Sequence, residues 1–132
     1  MKIRHFSAAA LLGLMAATAQ AQPVIKGGVL ADTSGRTLYV FDKDAPGASS
    51  CQGACLQAWP AYSATPAPNA RLHAQAGRLA SGQWTWNNRP LYHFAGDAQP
   101  GDKAGDGNGG VWHVVNPSAR AGTAPVETAY KY

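Results

Sequence analysis

The chain has 132 residues, of which 14% are charged, with a formal charge of +4 and two cysteines. That length suits one domain with one modest core. No Lys/Arg cluster marks a nucleic-acid footprint, and no apolar run after residue 21 is long enough to cross a bilayer, so neither a nucleic-acid partner nor a membrane span is expected.

The first element is a targeting segment. Lys2 and Arg4 precede the apolar run Ala8 to Ala17, and Ala19-Gln-Ala21 is a small-x-small cleavage site. Positive charge, short apolar block and cleavage site in that order describe a secretory signal peptide over residues 1–21. The mature chain is expected to begin near Gln22 in the periplasm or outside the cell. Cleavage removes two of the eleven Lys/Arg and leaves nine against seven Asp/Glu, a mature charge of +2. Met1 and Met15 leave with it, which excludes a methionine-rich copper site.

The mature part, residues 22–117, is rich in Gly, Pro, Asn and Asp, which favours short strands joined by turns. Val29 to Asp32 and Thr37 to Phe41 flank a polar turn and predict a hairpin. In the second strand Tyr39 and Phe41 share one face and Leu38 and Val40 the other, so a strand covered on both sides is expected. Asp44-Ala-Pro-Gly47 ends it. Ser49 or Ser50 predicts a cap for a short helix over Cys51 to Ala58, stopped by Pro60. After a Pro-rich connection, Gln83 to Trp86 and Arg89 to Ala95 flank Asn87-Asn88, a turn suited to positive φ. A Gly/Asp loop, residues 98–110, leads to the strand Val111 to Val115. Residues 118–132 read as a tail, with an edge strand possible at Val126 to Tyr130.

Leu38-Tyr-Val-Phe-Asp-Lys-Asp44 recurs 53 residues later as Leu91-Tyr-His-Phe-Ala-Gly-Asp97. Arg36, Tyr39, Phe41 and Asp44 fall on Arg89, Tyr92, Phe94 and Asp97, and Trp59 falls on Trp112. Unrelated sequence matches at about one position in fifteen to twenty, so two repeats are indicated, about 27–62 and 80–117. The expected fold is all-β: a small sandwich or barrel of two similar hairpin-containing repeats, with one short helix near the cysteine pair.

The duplicated Tyr-x-Phe-x-x-Asp unit, the Cys-x-Gly-x-Cys-x-x-x-Trp-Pro run after the first copy and the Pro-Gly-Asp…Gly…Trp run after the second resemble a bacterial family. It is the secreted-repeat family of predicted lipoproteins, of unknown function. The resemblance implies a cell-envelope location and a tandem-repeat architecture, and it transfers no catalytic residues. Many such proteins carry a cysteine directly after the signal, whereas Ala21 and Gln22 stand here, so a soluble rather than a lipid-anchored protein is expected.

Several residues invite chemistry. Cys51 and Cys55 in an exported chain predict a disulfide, and the rival reading is a copper site formed with His93 and His113. The two imidazoles would share a face if their strands pair. Each is otherwise a half-buried histidine bonded to a neighbour. Asp44 and Asp97 suggest paired hydrolytic carboxylates, but each sits where a turn begins and suits capping of backbone N–H groups. Tyr39 and Tyr92 suit core positions with the hydroxyl on backbone. Asp97, Asp102, Asp106 and Asn108 offer oxygens for Ca²⁺, without the spacing of an EF-hand. No G-x-S-x-G, HExxH, phosphate loop or haem motif is present, and no enzymatic activity is expected. The expected function is a non-enzymatic envelope module that binds a partner or small ligand, with periplasmic copper binding as the alternative.

Overall fold

In the computed structural model, the described residues are Gly13 and 21–117. The expected signal segment apart from Gly13 and Ala21, and the tail with its expected strand at Val126 to Tyr130, lie outside the described residues. The described chain opens with β1 (Val24–Lys26) and β2 (Val29–Ala31), a hairpin turned by Gly27 and Gly28, both at positive φ. After the turn at 32–36 comes β3 (Tyr39–Phe41), then α1 (Ala54–Ala58). The second half supplies β4 (Ala76–Arg78), β5 (Trp84–Trp86), β6 (Arg89–Pro90) and β7 (Trp112–Val114). Asn87 and Asn88 adopt the positive φ expected of them, 48° and 66°.

The strands form three small antiparallel sheets, β1–β2, β3–β7 and β4–β5–β6, tied by single bridges and not closed into a barrel. The halves are interleaved at the centre. On one side of β3 lies β7 from the second half, with Tyr39 opposite Val114 and Val40 opposite His113. On its other side Tyr39 and Tyr92 exchange both backbone hydrogen bonds, at 2.8 and 3.0 Å. Beyond Tyr92 comes Ala61 of the first half, and Tyr62 N–H donates to the Leu91 carbonyl at 3.0 Å. Each half therefore lends its last extended segment to the motif strand of the other.

Alternation along these strands separates two apolar layers. Leu38, Val40 and Leu91 join Leu30, Tyr62, Trp84, Trp86 and Val115 on one face, beneath the hairpins. Tyr39, Tyr92 and Trp112 join Cys51 and Trp59 on the other, beneath α1 and the long loop. Here Phe41, Trp112, Trp59 and Phe94 stack in that order, with centroids 4.2, 3.9 and 4.4 Å apart. The rings come alternately from the two halves. Tyr39 meets Trp59 edge-on at 5.2 Å and Tyr92 meets Trp112 edge-on at 5.1 Å, the favoured geometry for perpendicular rings.

The helix is shorter than its sequence pattern predicts. It begins at Ala54, follows Gly53 at φ 55°, and has no side-chain cap. Both serines expected to cap it are engaged elsewhere: Ser49 Oγ lies 2.5 Å from the Tyr92 hydroxyl, and Ser50 donates to Asp44. The disulfide Cys51–Cys55, with Cα atoms 5.3 Å apart, joins the approach to the helix to its first turn.

Gly105 is buried against the end of the aromatic stack, where an added Cβ would lie 2.5 Å from the Trp59 ring and 2.9 Å from Phe94. Neither ring can withdraw without breaking the stack. Gly105→Ala is expected to cost about 1–3 kcal/mol by overpacking. Chemical denaturation of the variant against the parent checks this; equal midpoints would show that the stack yields.

Candidate functional site

The polar groups of the duplicated motif are joined across the halves. The Tyr39 hydroxyl donates to Oδ2 of Asp97 at 2.7 Å, and the Tyr92 hydroxyl donates to Oδ2 of Asp44 at 2.6 Å. This refines the expectation of tyrosine-to-backbone bonds: each tyrosine donates to the aspartate of the opposite repeat, and of the two only Tyr39 also bonds a backbone group. The remaining carboxylate oxygens cap loops as expected. Asp97 Oδ1 accepts the Ala104 N–H at 2.9 Å, and Asp44 Oδ1 accepts the Ser50 N–H at 2.7 Å. Each tyrosine oxygen also receives a donor, from the Gly105 N–H at 3.3 Å in one case and Ser49 in the other.

Burial, then the bond to Asp97 and the nearby carboxylate charges, push the Tyr39 hydroxyl above the ordinary tyrosine value of 10.0. Burial and the bond to Asp44 do the same for Tyr92. At neutral pH both are held as neutral donors. Tyr62 is pushed up to about 12, by burial and then by the charge of Asp32.

The histidines form two separate pairs. Nε2 of His93 lies 2.9 Å from Oδ2 of Asp32, and Nε2 of His113 lies 3.0 Å from Oδ2 of Asp42. The register places both imidazoles on the Leu38–Val40 face, but their strands do not pair directly, because β3 runs between them. His93 also packs edge-on against Tyr62 at 5.2 Å. Burial works to raise the Asp32 carboxyl, yet the bonds from Ser34, the Arg36 N–H and His93 outweigh it and hold Asp32 below the usual aspartate value.

Cys51 and Cys55 are joined to each other on the opposite face, so the four candidate copper ligands are not brought together. Among the described residues no three His, Cys, Asp or Glu side chains are grouped closely enough to hold one metal ion. In the Gly/Asp loop, Asp102 Oδ2 accepts the Ala98 and Gln99 N–H groups at 3.0 Å each, and Asp106 Oδ1 accepts the Val114 N–H at 3.0 Å. These carboxylates shape the loop and point at different backbone groups.

A cleft of about 380 Å³ opens where the β1–β2 hairpin meets this loop, lined by Lys26, Val29, Ala31, Thr37, Pro100 and Lys103. Sequence reasoning missed it. Its two lysines stand 77 residues apart, each in a polar segment that resembles any solvated surface.

A family model described as a secreted repeat of unknown function matches residues 25–62 and 79–116, more than half of the chain. The chain belongs to that family. The two matched segments of this secreted-repeat protein are the two interleaved halves, each carrying one Tyr-x-Phe-x-x-Asp unit. No curated protein and no solved structure matches the chain. Among the described residues, no helix is long and apolar enough to cross a membrane.

Two measurements follow from the cross-repeat bonds. Asp97 is only 5% exposed, whereas Asp44 is half-buried, so losing the hydroxyl partner costs more at Asp97. Tyr39→Phe is expected to destabilise by about 1.5–3 kcal/mol, the range for hydrogen bonds to charged groups, and Tyr92→Phe, whose bond is only part-buried, by about 0.5–1.5 kcal/mol, the range for ordinary ones. A double-mutant cycle of Tyr39→Phe with Asp97→Asn should return a coupling above about 0.5 kcal/mol, and strict additivity would show that the pair is not energetically joined.

The second measurement is stability against pH. The three raised tyrosines contribute stability that is fully present below their unfolded value near 10, and for Tyr62 it is lost as pH rises toward about 12. Depressed Asp32 contributes stability that is present above the ordinary aspartate value of 3.8 and lost as pH falls below it. Denaturation midpoints across pH should fall at both ends; Asp32→Asn should flatten the acid limb and, by removing the charge beside Tyr62, also soften the alkaline one.

Proposed function

We propose that this secreted-repeat protein is a non-enzymatic binding module of the cell envelope, exported by a signal peptide cleaved near Ala21. One observation supports the reading above others: the ionisable groups of the duplicated motif are consumed by one another. A hydrolytic carboxylate pair needs one carboxyl free to move a proton and another to activate water or attack. Here Asp44 and Asp97 each accept a tyrosine hydroxyl and a backbone N–H instead. Tyr39 and Tyr92 hold their protons more firmly than free tyrosine. The repeated motif is then a clasp that holds two halves in register, and ligand recognition falls to the surfaces where the halves differ.

Turnover assays test this directly. Purified mature protein should hydrolyse no chromogenic ester, glycoside or phosphate ester, and Asp44→Asn or Asp97→Asn should change only the unfolding midpoint. Turnover that vanishes in either variant would overturn the reading in favour of a hydrolase.

Copper binding through Cys51, Cys55, His93 and His113 is the alternative. It would require reduction of the disulfide, release of both histidines from their aspartates and movement of groups now on opposite faces. Metal content of the same preparation, measured with and without reductant, separates the two. Stoichiometric copper lost on Cys51→Ala would favour the metal reading.

A further inference from the structure

The internal symmetry gives this fold two equivalent places for a cleft, and hydrogen bonds identify the equivalent residues. Lys26 pairs with Val29 as Leu79 pairs with Gln83. The Gly101 N–H donates to the Gly35 carbonyl at 3.0 Å, as the Gly47 N–H donates to the Asn88 carbonyl at 2.7 Å. Ala104 N–H caps Asp97 as Ser50 N–H caps Asp44, so Lys103, just before Ala104, stands where Ser49 stands. In the first place two lysines face a turn whose residue is Gly35. In the second the equivalent residues are Leu79 and Ser49, and the turn residue is Asn88, whose amide reaches within 3.1 Å of an ideal Cβ on Gly47.

We propose that the Lys26–Lys103 cleft binds a phosphate group carried on an apolar body. This deepens the binding-module reading and rests on it. Three observations favour the phosphate. First, neither lysine makes a hydrogen bond or ion pair with a described residue, whereas every aspartate among the described residues accepts bonds within the fold. The lining of this cleft carries two ammonium groups and no carboxylate, so the charge facing a ligand there is positive. Second, two ammonium groups act as compact point charges suited to a multiply charged oxyanion, whereas planar carboxylates are matched by the arginine fork. Third, Gly35 is buried at φ 89° and has no side chain, and the Lys26 amine lies 3.1 Å from where its Cβ would be, with Pro100 3.4 Å away on the loop side. A side chain there would be strained at this φ and would press the Lys26 amine aside by a few tenths of an ångström. Val29, Ala31 and Pro100 supply the apolar wall, and the Thr37 hydroxyl is already committed to the Asp102 carbonyl at 2.7 Å.

A phosphate ester in solution and a phospholipid headgroup share this chemistry, and the experiment separates them. Amide resonances of uniformly labelled mature protein are followed during titration with inorganic phosphate, with sodium chloride at equal ionic strength as control. Flotation with phosphatidylcholine vesicles, with and without phosphatidylglycerol, forms the second arm. Lys26→Gln/Lys103→Gln is compared with Lys43→Gln/Arg71→Gln, which removes the same charge elsewhere. Phosphate-specific shifts at Gly27, Gly35, Gly101 and Lys103, with affinity reduced about tenfold or more in the first variant only, would support a soluble phosphate ester. Flotation on phosphatidylglycerol vesicles that fails in the first variant only would support a headgroup. The proposal is overturned if neither probe binds, or if both variants weaken binding equally, which would mark general charge attraction. Such a failure leaves the turnover result, and with it the binding-module reading, untouched.

Discussion

Everything in the centre of this molecule depends on the antiparallel bridge between Tyr39 and Tyr92. Because the two residues exchange both backbone hydrogen bonds, the motif strands of the two halves run side by side in opposite directions. A local two-fold relation follows. Each tyrosine ring then points into the same layer, and each hydroxyl ends at the aspartate that closes the other strand. The carboxylate is held in turn by a backbone N–H of the loop that follows it, so one short motif fixes strand, partner strand and loop together. Neither half can complete this arrangement alone. Its motif strand lacks the flanking segment that the other half provides, and its aspartate lacks a hydroxyl.

The aromatic stack extends the same relation. Phe41, Trp112, Trp59 and Phe94 alternate between halves, so removing either repeat would remove every second ring. Such pairings join residues far apart in sequence, and their loop-closure cost is recovered only when both halves are in place. Folding should accordingly be cooperative across the whole domain rather than repeat by repeat. The disulfide has a different role. It closes a loop of only four residues, so it constrains little of the unfolded chain and mainly fixes the local path into α1 on the Trp59 side.

How far the sequence reveals this depends on whether a feature is local. The alternation in Leu38 to Phe41 correctly implies a strand covered on both faces, because a period of two is a property of the strand itself. The Asn87-Asn88 turn, the disulfide and the repeat were legible for similar reasons. β1 was not, because Val24 to Lys26 is three residues long with Ile25 and Lys26 exposed, too brief for a pattern. Loop capping by Asp44 and Asp97 was readable from position, yet only one oxygen of each carboxylate follows it. The other oxygen answers to a tyrosine 48 or 58 residues away, and nothing in a repeated motif says whether its members pair within a copy or between copies. The helix cap failed for the same reason: Ser49 and Ser50 satisfy the local rule for a cap, but cross-repeat bonds claim them first.

Symmetry also tells where to look for function. A duplicated scaffold presents equivalent surfaces, and residues that hold the scaffold must recur in both copies, as Tyr39, Asp44 and Trp59 do in Tyr92, Asp97 and Trp112. A ligand site has no such obligation. The two His–Asp pairs, the disulfide and the two-lysine cleft all occupy positions where the copies differ. Of these, the histidines are engaged by aspartates and the cysteines by each other. The cleft combines two lysines without a described partner, an apolar wall and open space, at a position whose counterpart in the other half carries Leu79, Ser49 and the Asn88 side chain. A cleft lined by two ammonium groups and no carboxylate, beside a turn closed by glycine, is arranged to meet an anion there.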